Sequence, residues 1–185
     1  MTRSTTMSPS INRLNSDILL DDEEKRAGAL KDLAELAQNN AGELSSIPPL
    51  LVVLEEGSDA CREMASWTLG KLAQSGVGDL SELDPLIEAL HDPDGEVREN
   101  SAWALGELAG QRIGAREELE PITALLKEDA ATTRGMAAWA LGRLAQRMSL
   151  VDMRSIAPIE SLVSDKSKYV SKGAEYALQR MKEKI

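Results

Sequence analysis

One short segment occurs three times in this chain of 185 residues, and that recurrence limits the possible folds more than any other feature. Ala65–Ala73 returns as Ser101–Ala109 and again as Ala137–Ala145, each reading Trp-x-Leu-Gly-x-Leu-Ala from its third residue. A degraded copy at Ala174–Met181 carries Tyr176 in place of tryptophan, and a weak copy precedes the series at Ala27–Ala34. Trp67, Trp103, Trp139 and Tyr176 are therefore spaced by 36, 36 and 37 residues. Self-similarity at such a period marks a repeat architecture, in which each unit buries its apolar face against its neighbours.

A second marker keeps step with the first. Pro49, Pro85, Pro121 and Pro158 each lie 18 residues before the aromatic, and an apolar run follows each of them. Proline suits the first turn of a helix, where its missing N–H would have no intrahelical partner. Each unit thus opens with a helix near the proline, and Asp84 is a candidate cap for the third. A turn such as Asp92-Pro93-Asp94-Gly95 leads into a second helix. Val97, Ser101, Leu105 and Leu108 fall on one face of it by three- and four-residue steps. The expectation is an all-α chain of five antiparallel helix pairs, each helix three to four turns long. The repeats span about 10–40, 46–75, 82–111, 118–147 and 150–185, and residues 1–9 form a flexible N-terminal tail. The first pair would be Ile11–Leu20 and Glu23–Gln38.

Composition excludes several function classes. One cysteine, Cys61, and one histidine, His91, leave no disulfide framework and no multi-cysteine or multi-histidine metal site. Cys61 replaces Val97 in its repeat and reads as a small buried hydrophobe. His91, before Asp92-Pro93, reads as a helix-end or surface residue. Gly76-Val77-Gly78 lacks the third glycine of a nucleotide fingerprint. Glu55-Glu56 and Glu117-Glu118 are adjacent pairs that cannot face each other, and they read as solvated turns. No catalytic residue, metal or cofactor is expected. With no secretory leader and no membrane span in the sequence, a cytoplasmic location is expected. The net charge of -10 opposes binding to nucleic acid or anionic lipid. That charge is uneven: residues 1–110 carry 8 basic and 21 acidic side chains, and residues 111–185 carry 13 and 10.

The segments Pro85–Asp94 and Val97–Gly106 resemble HEAT-like repeats of the phycobilisome-lyase type. The resemblance covers about residues 46–182 strongly and 10–45 weakly. It implies a right-handed α-solenoid of the armadillo/HEAT kind whose second helices line the concave side. Functions in such folds are diverse. It also implies two alternatives to a scaffold: a subunit of a phycobilin lyase-type chromophore attachment complex, and a nucleic-acid-binding HEAT-like protein.

With that geometry, stepping along each second helix gathers one candidate face per repeat. Met64, Trp67 and Lys71 share it in one repeat, and Glu99, Asn100, Trp103 and Glu107 in the next. Met136, Trp139 and Arg143 follow, and then Tyr176 and Arg180. Such a face would bind a protein or peptide, since tryptophan, tyrosine and arginine dominate interface energetics. It would grade from acidic (Glu63, Glu96, Glu99, Glu107) to basic (Arg143, Lys172, Arg180). Two other arrangements stay open: each ring could pack between repeats, or the face could close on the tail or on a second copy of the chain. Arg62, Arg98 and Arg134 recur five residues before each tryptophan, with Glu56, Asp92, Glu128 and Asp165 in step. The arginines are expected to form a structural ladder through the turns of adjacent repeats, with the acidic residues either partnering them or capping the second helices; anion binding is the alternative role.

Overall fold

The computed structural model describes residues 10–185, so the expected tail at 1–9 lies outside the described residues. Ten helices form five successive pairs: α1 (Ile11–Asp17) with α2 (Glu23–Gln38), α3 (Ile47–Glu56) with α4 (Asp59–Gln74), and α5 (Leu83–Ala89) with α6 (Gly95–Gly110). The last two pairs are α7 (Leu119–Leu125) with α8 (Ala131–Met148), and α9 (Ile156–Leu162) with α10 (Lys168–Lys182). The chain is an all-α solenoid.

The two helices of a pair are unequal, which corrects the expectation of matched lengths. α5, α7 and α9 have 7 residues each, about two turns, whereas α4 and α6 have 16 and α8 has 18. A 3-10 turn precedes each of α3, α5, α7 and α9 and takes up the residues that would have formed another α turn. The conserved-register prolines are the third residues of these helices, where no intrahelical bond is lost. Asp84 lies inside α5 and does not cap it. No side chain caps α5; Asp79 caps the preceding 3-10 turn, accepting from the Ser81 N–H at 2.8 Å. α1 likewise ends at Asp17 and not at Leu20.

The long helices pack directly on one another in sequence, α2 on α4, α4 on α6, α6 on α8 and α8 on α10. The short helices are splayed: α3 touches α1 and α5 only lightly, and later short helices meet even less. A layered solenoid bends toward its tighter layer, so the long helices form the concave side. This explains their composition. In α6 the short-helix side is filled by Val97, Ser101, Leu105 and Leu108, and the sides toward α4 and α8 by Ala102, Ala104, Gly106 and Ala109, all buried. Small residues let helices bury two flanks at close spacing. The approach is tightest between α8 and α10, where a methyl group on Gly173 would lie 2.9 Å from the Gly135 carbonyl oxygen.

Each of the first four long helices ends the same way. Asn40, Gly76, Arg112 and Ser149 adopt positive φ of 56°, 83°, 64° and 57°. The residue after the first three donates back to a carbonyl five residues earlier: Ala41 to Leu36 at 2.8 Å, Val77 to Leu72 at 2.9 Å, and Ile113 to Leu108 at 3.0 Å. This left-handed stop satisfies the last carbonyls and turns the chain toward the next short helix. Only one of the four positions is glycine, so composition alone conceals that it is a shared structural position.

Candidate functional site

The aromatic positions fall on the exposed flank of the long helices, facing the concave side. Their rings are not free-standing. A methyl group on Gly70 would collide with the six-membered ring of Trp103, and one on Gly106 with the ring of Trp139. One on Gly142 would lie 2.6 Å from the ring of Tyr176. Each ring therefore lies against the glycine of the repeat before it, leaving its other side toward solvent. Trp67, Trp103, Trp139 and Tyr176 are all half-buried. Trp67 has Ala34 at the corresponding place in the first repeat. The glycine of the repeated motif is thus the seat of the next repeat's aromatic. The last described repeat has Gln179 at this position.

Four residues further along each helix stands a charged residue, and these tie the rings together. Lys71 Nζ lies 5.3 Å from the ring centres of both Trp67 and Trp103. Trp103 Nε1–H donates to Glu107 at 3.2 Å, and Arg143 lies 3.5 Å from the same carboxylate. The Arg143 guanidinium is 5.4 Å from the Trp139 ring centre, and that of Arg180 is 5.5 Å from Tyr176. Contacts of this geometry hold a cation by the quadrupole of the ring. Glu107 and Arg143 thereby neutralise one another, and Arg180 pairs with Glu183 at 3.1 Å, so the charge gradient along the groove is shallower than the sequence suggests.

What remains acidic lies in the N-terminal half. Glu63, Glu96 and Asn100 line a groove segment of about 640 Å³ with Met64, Trp67 and Glu35. Glu96 is held above the usual carboxylate range, first by the charge of Glu99, then by burial and by Glu63. Glu99 accepts from Thr133 Oγ1–H at 3.2 Å, and Asn100 Nδ2–H reaches the Glu63 carbonyl at 3.4 Å. A second segment of about 350 Å³ is lined by Trp103, Met136, Trp139, Tyr169 and Tyr176, with Lys172 beside them. Tyr169 belongs to this segment although it sits outside the aromatic register. Its ring lies over Gly135, seven residues ahead of the repeated glycine, the same step by which Tyr169 precedes Tyr176.

The arginine series runs along the edge where short helix meets long. Arg62 donates to both oxygens of Asp92, at 2.7 and 3.0 Å. Arg98 donates to the Asp92 and Pro93 carbonyls at 2.8 and 3.0 Å and to the Glu128 carboxylate at 3.0 Å. Arg134 repeats this with the Glu128 and Asp129 carbonyls, at 2.8 and 2.7 Å, and with Asp165 at 2.9 Å. Each guanidinium holds its own turn and the turn of the next repeat. Burial pushes the Asp92 carboxyl upward, but the bonds from Arg62 and the Asp94 N–H outweigh it and leave the group below its usual range. Arg26 occupies the same register in the first repeat and donates to the carbonyls of Ile18 and Leu20, at 3.1 and 2.7 Å. Glu56 does not join the series; it is exposed, and Arg26 pairs with Glu23.

Glu117-Glu118 is not a solvated pair. Glu118 has no exposed surface, and neither does Glu82 one repeat earlier. Glu82 Oε1 accepts from the Asp79 N–H at 2.8 Å, Glu118 Oε1 accepts from the Ala115 N–H, and Oε2 of each has no partner. Burial pushes both carboxyls up to about 7, against the lowering effect of the backbone bond; the charges of Asp79 and Glu117 add to the rise. Cys61 is buried and its thiol donates to Glu23 Oε1 at 3.4 Å, while His91 is exposed. Among the described residues no group of three or more histidine, cysteine or acidic side chains is placed to hold a metal ion, and no helix is long and apolar enough to cross a membrane.

The family profile of HEAT repeats matches residues 15–106 and 83–179, so the chain belongs to the HEAT-repeat family. Among curated proteins nothing matches it. Among solved structures it is similar to a designed armadillo repeat protein in complex with the peptide (KR)4, with a TM-score of 0.73, 20% identity, and coverage of 95% of this chain and 88% of that one. It is also similar to computationally designed armadillo repeat proteins for modular peptide recognition, with a TM-score of 0.71, 22% identity and coverage of 92% and 81%. An engineered protein gives a TM-score of 0.75 at 21% identity, with coverage of 94% and 80%. At these identities the likeness establishes the armadillo/HEAT solenoid.

Proposed function

We propose that the chain is a non-enzymatic scaffold that binds an extended, basic peptide segment along its concave groove. The observation that carries this reading is the row of half-buried rings, one in each of the last four repeats, beside the carboxylates of Glu63, Glu96 and Glu99. Stacked helices stand ~10 Å apart and an extended chain advances ~3.3 Å per residue, so roughly three peptide residues would pass each repeat. Alternate side chains would then meet ring faces and carboxylates in turn. Met64 and Met136 add adaptable apolar surface beside the rings. The structural likeness to a designed armadillo repeat protein in complex with the peptide (KR)4 supports this reading. A cytoplasmic setting is part of the proposal. The chromophore-lyase and nucleic-acid readings gain no support from the groove, and its acidic half opposes phosphate.

The test is fluorescence anisotropy with two labelled peptides, one of alternating lysine and arginine and one of alternating glutamate and serine. The basic peptide should bind, and binding should weaken about tenfold in the triple variant Glu63→Gln, Glu96→Gln, Glu99→Gln. Equal binding of both peptides, or binding of neither, would overturn the reading. Light scattering on the same samples reports whether the groove closes on a second copy instead.

A further inference from the structure

The concave face already holds one cation of its own. Lys71 Nζ is equidistant, at 5.3 Å, from the rings of Trp67 and Trp103, which come from successive long helices. Its one side-chain hydrogen bond is donated to the neutral amide of Gln74 at 3.2 Å, and among the described residues it pairs with no carboxylate. The other two cations placed over rings differ: Arg143 also pairs with Glu107, and Arg180 with Glu183. Both indoles are half-buried, and Trp67 opens onto the groove segment that carries Glu63 and Glu96.

We infer that Trp67 and Trp103 form a cation-binding subsite for an arginine or lysine side chain of the ligand, and that Lys71 is its built-in competitor. This deepens the peptide-binding reading and rests on it for the natural ligand. The internal ammonium shows what the pair of rings accepts. A ligand guanidinium arriving there would gain ring contacts together with the carboxylates of Glu63 and Glu96, which Lys71 does not reach. It must first displace Lys71, because two cations between the same rings repel each other. The flexible lysine stem and the single amide contact make that displacement cheap. Lys71 thus sets a threshold: ligands that present a guanidinium backed by further contacts enter, and isolated cations do not.

Tryptophan emission of the full chain can be followed during titration with argininamide and, separately, with the alternating lysine–arginine peptide. Lys71→Gln should bind argininamide about 5–10-fold more tightly than the parent, and Lys71→Arg should behave like the parent. Adding Trp67→Ala to Lys71→Gln should abolish the gain. Thermal melts of each variant confirm that it is folded. If argininamide affects Lys71→Gln and the parent equally, or the variant less, the subsite is refuted whatever the peptide does. If argininamide shows the gain but the peptide binds no variant, the subsite stands and the peptide reading falls.

Discussion

The ring of Trp103 lies against the backbone of Gly70, one repeat earlier, so closely that no side chain fits at that glycine. The same contact joins Trp139 to Gly106 and Tyr176 to Gly142. The ladder is therefore both the seam of the solenoid and the floor of its groove, and substitutions there should disturb folding as well as binding.

Gly70→Ala and Gly106→Ala should each destabilise the protein by about 1–3 kcal/mol, because the added methyl group must push an indole out of its seat. Gly28→Ala, on the exposed side of α2 with nothing within 4 Å of the new methyl, should instead stabilise by about 0.5–1 kcal/mol. Urea denaturation of the three variants measures the contrast. Destabilisation by Gly28→Ala equal to that of Gly70→Ala would remove the special role given to the seat.

Trp103→Ala should lower stability by about 2–3 kcal/mol, near or below the usual range for a buried large aromatic, because the ring is only half-buried. It also removes the donor to Glu107 and one of the two rings around Lys71. Chemical denaturation gives the stability loss, and acrylamide quenching of the parent should show partly protected emission. Fully exposed emission would contradict the packing described.

The arginine edge should behave as a chain of coupled clamps. Arg62→Ala should cost about 2–4 kcal/mol, since it strands the nearly buried carboxylate of Asp92. Arg62→Lys should recover less than half of the loss, because an ammonium cannot match the two-oxygen geometry. A double-mutant cycle with Asp92→Asn, read by thermal melts, should give a coupling of at least about 1 kcal/mol.

Stability should fall as the pH rises from about 5 to 7.5. Glu82 and Glu118 ionise at about 7 in the fold and near 4.5 in the unfolded chain. Between those values the folded state holds more protons. The stabilisation is complete below about 4.5 and is lost as the pH passes 7. The two sites together should account for roughly 2–5 kcal/mol by pH 8. Glu82→Gln with Glu118→Gln keeps the acceptor for the turn N–H and should flatten the curve, raising stability at pH 8 and leaving it nearly unchanged at pH 5. A parent whose melting point is constant over this range would refute the assignment.

Arg112 should be improvable. It occupies the left-handed stop of α6 with φ of 64°, where Gly76 serves in the previous repeat. Arg112→Gly should raise stability by about 0.5–1 kcal/mol by removing the steric cost of a side chain at that φ. A loss on thermal melting would mean that the side chain contributes more than the strain.

Much of this architecture can be read from residue order. A 36-residue recurrence of aromatic, glycine and proline is enough for paired helices, a stacked core and atypical ends, because helical periodicity and burial are local properties of a pattern. The buried face through Val97, Ser101, Leu105 and Leu108 follows from its spacing alone, and so does the common register of the groove residues. The lengths of the short helices do not, since a 3-10 turn and an α turn accept the same side chains. Periodicity also states which positions are equivalent but not which ones meet. That Trp103 sits on Gly70, that Tyr169 covers Gly135, that Lys71 lies between two rings and that Glu118 turns inward are contacts between repeats. They are settled by the offset at which one long helix packs on the next, and that offset exists only once the chain has folded.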